Sequence, residues 1–180
     1  MSRSVPADKV MSMGVPTHAM VYTGGSAATM DTGVGPLEFL GPLRMFDGVE
    51  NWYLLLYALP EGKTFEEVRN QATEQYIQAA GRADAMTVET RKPGGQRWGA
   101  DWVRYTVGRE HPGDQPLDVA ITLPHGDEMI SRAEVFDADE AAQLFMHYHR
   151  TGDIPDGYVL RPVEGYTPDG NIIDLRGAAA

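Results

Sequence analysis

The chain has no cysteine. That excludes disulfides, thiolate metal sites and a cysteine nucleophile. It has no apolar run near the roughly 18 residues that span a bilayer. Its opening, MSRSVPADKVMSMGVP, has no apolar core of a signal peptide. A cytoplasmic location without a membrane partner is the expectation. Positive charge is scarce: 15 Lys and Arg stand against 26 Asp and Glu, for a net charge of −11 and a pI near 4.8. No basic cluster offsets this locally, so a phosphate backbone would be repelled and nucleic acid is excluded as a partner. Such a field would steer a basic protein inward, although acidity also serves solubility alone.

What is present is ordinary globular material. The 180 residues are 42% hydrophobic and 23% charged, enough for one domain with a real core. The 20 glycines and 12 prolines are scattered, and no internal repeat or linker divides the chain. The reading is a flexible arm over 1–16, a single α+β domain over 17–152, and an irregular extension over 153–180 with a short hairpin around PDGN.

Within the domain, HAMVYT at His18 reads as a short strand and GGSAATMDTGVGP as a turn-rich link. Leu37–Phe46 reads as strand, broken at Gly41-Pro42. Asn51–Leu59 is the most apolar run and is hydrophobic on both alternating faces, which predicts an interior strand. Phe65, Val68, Ala72, Tyr76 and Ala80 share a helical stripe, predicting a helix over Phe65–Ala80 that Gly81 ends. Four strands then read as an antiparallel meander: Met86–Arg91, Ala100–Val107, Leu117–Leu123 and Met129–Phe136. A second helix is predicted over Ala138–Thr151, with Ala141, Leu144, Phe145 and Tyr148 inward. Asp137 and Glu140 form its capping pair and Gly152 its stop.

The joint LPEGKTFEE tests for a phosphate loop. That motif needs glycine where this chain has Tyr57, and Glu66 and Glu67 occupy the turn where phosphate would lie. Thr64 and Glu67 instead match a capping box. MHYHR holds a histidine pair, but His147 and His149 diverge on a helix. A metal site of His147, His149 and Asp153 would require the helix to end early. His125, in the turn PHGDE, could act as acid or base beside Asp127 and Glu128, or be a wet turn residue. His18 and His111 stand alone. No serine lies in a nucleophile elbow, and no catalytic residue or cofactor is assigned. The aromatic and arginine residues Trp98, Trp102, Arg104, Tyr158, Arg161 and Tyr166 are of the types that anchor interfaces. They could equally be covered within the chain.

The segments NWYLLLYALPEGKTFEEV, GADWVRYTV and AEVFDADEAAQLFMHY follow one another in an order that resembles the Mog1/PsbP-like fold. The resemblance covers about Leu37–Thr151. It implies a twisted, mostly antiparallel sheet of about six or seven strands with two helices packed on it as an α/β/α sandwich. It also implies a non-enzymatic binding role; such domains serve as accessory subunits, GTPase-binding factors, small lipoproteins and effector chaperones. No functional residue carries over. The expectation is therefore an acidic binding protein, most concretely an immunity protein or effector chaperone for a basic, toxin-like partner. The alternatives are a small hydrolase or other enzyme, with or without a metal, and a structural subunit of a larger assembly with the 153–180 extension as its docking strand; the extension could also join copies of the chain as a homo-oligomer.

Overall fold

Alternating apolar residues build a sheet that runs through the whole molecule. In the computed structural model, which describes residues 14–178, eight strands form one antiparallel sheet. They are β1 (His18–Tyr22), β2 (Ala27–Met30), β3 (Tyr53–Ala58), β4 (Tyr76–Arg82), β5 (Ala85–Pro93), β6 (Trp102–Arg109), β9 (Tyr158–Tyr166) and β10 (Ile172–Asp174). Their spatial order is β10-β9-β6-β5-β4-β3-β1-β2. β7 (Val119–Leu123) and β8 (Gly126–Ile130) form a separate hairpin. Three α-helices lie among the described residues: α1 (Leu37–Arg44), α2 (Phe65–Val68) and α3 (Ala138–Thr151). The expected arm over 1–16 falls, as far as residue 13, outside the described residues.

One sheet face holds the main core. Leu54 and Leu56 of β3, Ile77 and Ala79 of β4, and Val88 of β5 pack beneath Leu144 and Phe145 of α3. α1 lies beside α3 in the same layer, with Phe39 and Phe145 at a ring separation of 6.0 Å. α3 begins and ends as its sequence dictates. The Asp137 carboxylate accepts from the Glu140 N–H at 2.9 Å, and Gly152 turns left-handed at φ +74° so that its N–H reaches Tyr148 O. On the opposite face, the β7–β8 hairpin covers one end of the sheet. Ile121, Leu123 and Ile130 pack there on Ala80, Trp52 and Tyr53. The second layer is thus a hairpin where an α/β/α sandwich would place a helix. The chain is α+β with a large antiparallel sheet, of eight plus two strands where six or seven were expected.

Several elements differ from the sequence expectation. Leu37–Arg44 is helix, not strand, because Phe39 and Leu43, four apart, are the residues that bury. GGSAATMDTGVGP contains β2, which pairs with β1 across the positive-φ turn Gly24-Gly25. The helix expected over Phe65–Ala80 stops after one turn, and its last five residues, from Tyr76, belong to β4. The helical stripe had left Ile77 and Ala79 outside the buried face. Both are almost fully buried, and the period-2 pattern they set is the one the sheet uses. Strand β8 ends at Ile130, where Glu134 folds back to accept the Ser131 N–H at 2.8 Å. The meander therefore breaks after β6, whose outer neighbour is β9. The segment from Asp153 contains β9 and β10, which pair with each other across PDGN, and β9 also pairs along all of β6, a pairing the sequence reading did not include.

Candidate functional site

The end of the second face that the hairpin leaves uncovered carries a connected row of polar side chains. The strand register sets Gln78 opposite Glu89 and Arg104 opposite Glu164. Tyr53 Oη donates to Gln78 Oε1 at 3.2 Å, and Gln78 Nε2 donates to Glu89 Oε2 at 2.6 Å. Arg104 Nη1 donates to Glu89 Oε1 at 2.5 Å. Arg104 also spans to Glu164, with Nε to Oε2 at 3.2 Å and Nη2 to Oε1 at 3.0 Å. Tyr166 Oη closes the row on Glu164 Oε2 at 2.9 Å. The row crosses β3, β4, β5, β6 and β9.

Its electrostatics follow from partial burial. Glu89 is only 4% exposed, so its charge depends on Arg104. Burial disfavours the Arg104 charge, but Glu89 and then Glu164 outweigh it, and the guanidinium pKa is raised. Burial alone would raise the Glu164 carboxyl; the Arg104 hydrogen bond and charge hold it below the usual carboxylate range. Burial, with the nearby Glu89 charge, pushes the Tyr53 phenol up to about 12. The Glu164 carboxylate and the Tyr53 phenol are therefore each held in one ionisation state near neutrality, which suits a rigid surface better than proton transfer.

Around this row stands an aromatic frame. Trp102 and Tyr166 are cross-strand neighbours, and Tyr76 faces Arg91 on the adjacent strand pair. The Arg91 guanidinium carbon lies 3.8 Å from the Tyr166 ring centroid and 5.9 Å from that of Trp102. Trp102 also lines a cleft of about 590 Å³ with Tyr57, Pro60, Val68 and Gln75.

Of the residues singled out in the sequence, Trp102, Arg104, Tyr166 and Arg161 share this face. Arg161 is engaged within the chain, clamping buried Glu134 through Nε at 2.6 Å and Nη2 at 3.1 Å. Trp98 lies elsewhere, packed near Val103 and Leu175 with Arg97 over its ring. Tyr158 faces the helix layer, where its hydroxyl donates to Glu140 Oε1 and its ring meets Phe136; Arg109 grips the same Glu140. Arg91, Tyr76, Gln78 and Glu89 escaped the sequence reading. Tyr76 and Gln78 were hidden inside the expected helix, and alternation over Tyr76–Ala80 was the signal that could have found them.

His147, His149 and Asp153 do not form a ligand set. No group of three His, Asp or Glu side chains is placed to hold a metal among the described residues. Asp153 is gripped by Lys92 Nζ at 2.5 and 2.6 Å. His149 points into the core, where its ring lies 4.3 Å from that of His18 and 5.9 Å from Phe39. Burial, then the neighbouring His149, pushes His18 down to about 4; burial likewise lowers His149. His125 rests against Trp52 at a ring separation of 5.4 Å, and His111 Nδ1 lies 2.8 Å from Gly113 O. At the Gly-Lys-Thr joint, Glu67 Oε2 accepts from the Thr64 N–H at 2.8 Å, as a helix cap requires. No helix among the described residues is long and apolar enough to cross a membrane. No protein-family model, no curated protein and no solved structure matches the chain.

Proposed function

We propose that this chain is a non-enzymatic, acidic binding protein of the cytoplasm that docks a protein partner on the uncovered face of its sheet. The observation that carries this reading is the frame of Tyr76, Trp102 and Tyr166, set beside arginines and held by the five-strand row of hydrogen bonds. Aromatic and arginine side chains on a rigid sheet lose little entropy on docking, which makes them effective anchors. The finer form of the proposal is an immunity protein or effector chaperone for a basic, toxin-like partner, with a Mog1/PsbP-like order of elements. The net charge of −11 supports a basic partner through long-range steering.

Affinity capture from the native host tests it, comparing wild type with Trp102→Ala and Tyr166→Ala. The expected result is a stoichiometric partner whose affinity falls with salt and which both variants lose. A partner held equally by both variants would move the interface off this face. No retained partner at low salt would defeat the binding reading itself.

A further inference from the structure

Arg91 of β5 stands directly opposite Arg104 of β6. Two guanidinium groups in such positions repel each other. Arg104 is neutralised from both sides, by Glu89 and Glu164. Arg91 makes no ion pair among the described residues, and its Nε is buried without a hydrogen-bond acceptor. The Tyr166 and Trp102 rings steady the guanidinium through its π-face but offer its N–H groups no acceptor. Across the strand pair, the Tyr76 hydroxyl makes no hydrogen bond among the described residues either. This corner of the sheet therefore has donors in excess, inside an aromatic frame, in a chain whose overall charge is strongly negative.

We propose that Arg91 anchors a binding site for a carboxylate, with the Tyr76 hydroxyl as a second donor and Trp102 and Tyr166 as apolar walls. A planar guanidinium matches a planar carboxylate through two parallel hydrogen bonds. Phosphate is disfavoured because its second charge would lie near Glu89 and Glu164, in the field of the whole acidic chain. The aromatic walls select an acid with an apolar body. That acid is either a free small molecule or the terminal carboxylate of a peptide chain. The site stands on its own geometry and does not depend on the protein-docking reading.

The test is titration of the purified 180-residue chain, followed by tryptophan fluorescence and by the Arg91 Nε–H resonance. Three probes are used at constant ionic strength: benzoate, N-acetylphenylalanine and inorganic phosphate. A saturable response to benzoate or N-acetylphenylalanine is expected, with phosphate at least about tenfold weaker. Tighter binding of benzoate identifies a free acid as the ligand type, and tighter binding of N-acetylphenylalanine a chain terminus. Arg91→Gln should weaken the response at least about tenfold and Arg91→Lys about fivefold, because an ammonium cannot form the paired bonds. Tyr76→Phe should weaken it about threefold and gives a second reading should Arg91→Gln fold poorly. An equal response to phosphate, a Kd above about 100 mM for both acids, or binding unchanged in Arg91→Lys and Tyr76→Phe would overturn the assignment.

Discussion

Replacing Arg104 by glutamine probes the row of side chains at its centre. The Arg104 side chain is 15% exposed, and its two acids, Glu89 and Glu164, are 6% and 25% exposed. Glutamine keeps the length and some hydrogen bonding but leaves two carboxylates without their cation. Removing one partner of a buried pair costs about 3–5 kcal/mol; Glu164 can turn toward water, so about 3 kcal/mol is expected here. For a chain of this size that lowers Tm by roughly 6–12 °C. Urea unfolding at pH 7 gives the free energy directly. The pH dependence supplies a second, independent check. Folding holds the Glu164 carboxyl below its ordinary 4.5 because Arg104 stabilises the anion. The wild type therefore carries this stabilisation above pH 4.5 and loses it as pH falls through the folded-state value. The variant has little of it to lose, so the gap between the two proteins should narrow below about pH 4.5. Arg44→Gln is the control, because the Arg44–Asp139 pair is 59% and 66% exposed and should cost well under about 1 kcal/mol. A cost below about 1 kcal/mol for Arg104→Gln, or a gap that does not change with pH, would refute the reasoning.

Deleting 153–180 should abolish soluble, cooperative folding, since it removes β9 from along β6 and leaves Glu134 without Arg161; a folded truncated monomer by circular dichroism and sedimentation would contradict this. The His18 ring should titrate near pH 4 by proton NMR, and Tm should fall as pH drops from 6.5 toward 4, because the unfolded chain takes up protons that the folded chain refuses. His18→Phe should make that slope shallower, and an unchanged slope would remove the histidine pair from the explanation. Gly81→Ala should cost about 2–3 kcal/mol in urea unfolding, since φ is +138° and the added methyl would lie 2.6 Å from Ala85 O; a cost under about 0.5 kcal/mol would mean the β4–β5 turn relaxes freely.

Legibility in the sequence depended on how local each signal was. α3 was readable to the residue because its cap, stripe and stop all lie within sixteen consecutive positions, 137 to 152. The Thr64 cap was readable for the same reason, but it said nothing about how long α2 would run. That length was decided by β3 and β5, between which the chain from Tyr76 had to fit as a strand. Tyr76 and Ala80 satisfy a helical period and a strand period equally well. Only Ile77 and Ala79 break the tie, and they do so through burial against α3, some 65 residues away in sequence. The same competition hid α1, where Gly41-Pro42 argued for a broken strand while the spacing of Phe39 and Leu43 argued for a helix. Packing against Phe145 favoured the helix.

The candidate site was harder to read because its meaning lies in which charges remain uncompensated. Arg91 and Arg104 are both strand arginines, paired across β5 and β6 and facing the same side. What separates them is an acid 15 residues from Arg104 and another 60 residues away, brought alongside by β5 and β9. Arg104 was singled out for its neighbour Trp102, yet the fold gives it two carboxylates and makes it part of the scaffold. Arg91 drew no notice, yet it faces Tyr166 and Trp102 and makes no ion pair among the described residues. An arginine held by carboxylates has little left to offer a ligand, whereas an arginine fixed only by aromatic rings keeps its hydrogen-bond donors free. The division of labour between two like residues across one strand pair is thus a property of long-range pairing, and only the folded register reveals it.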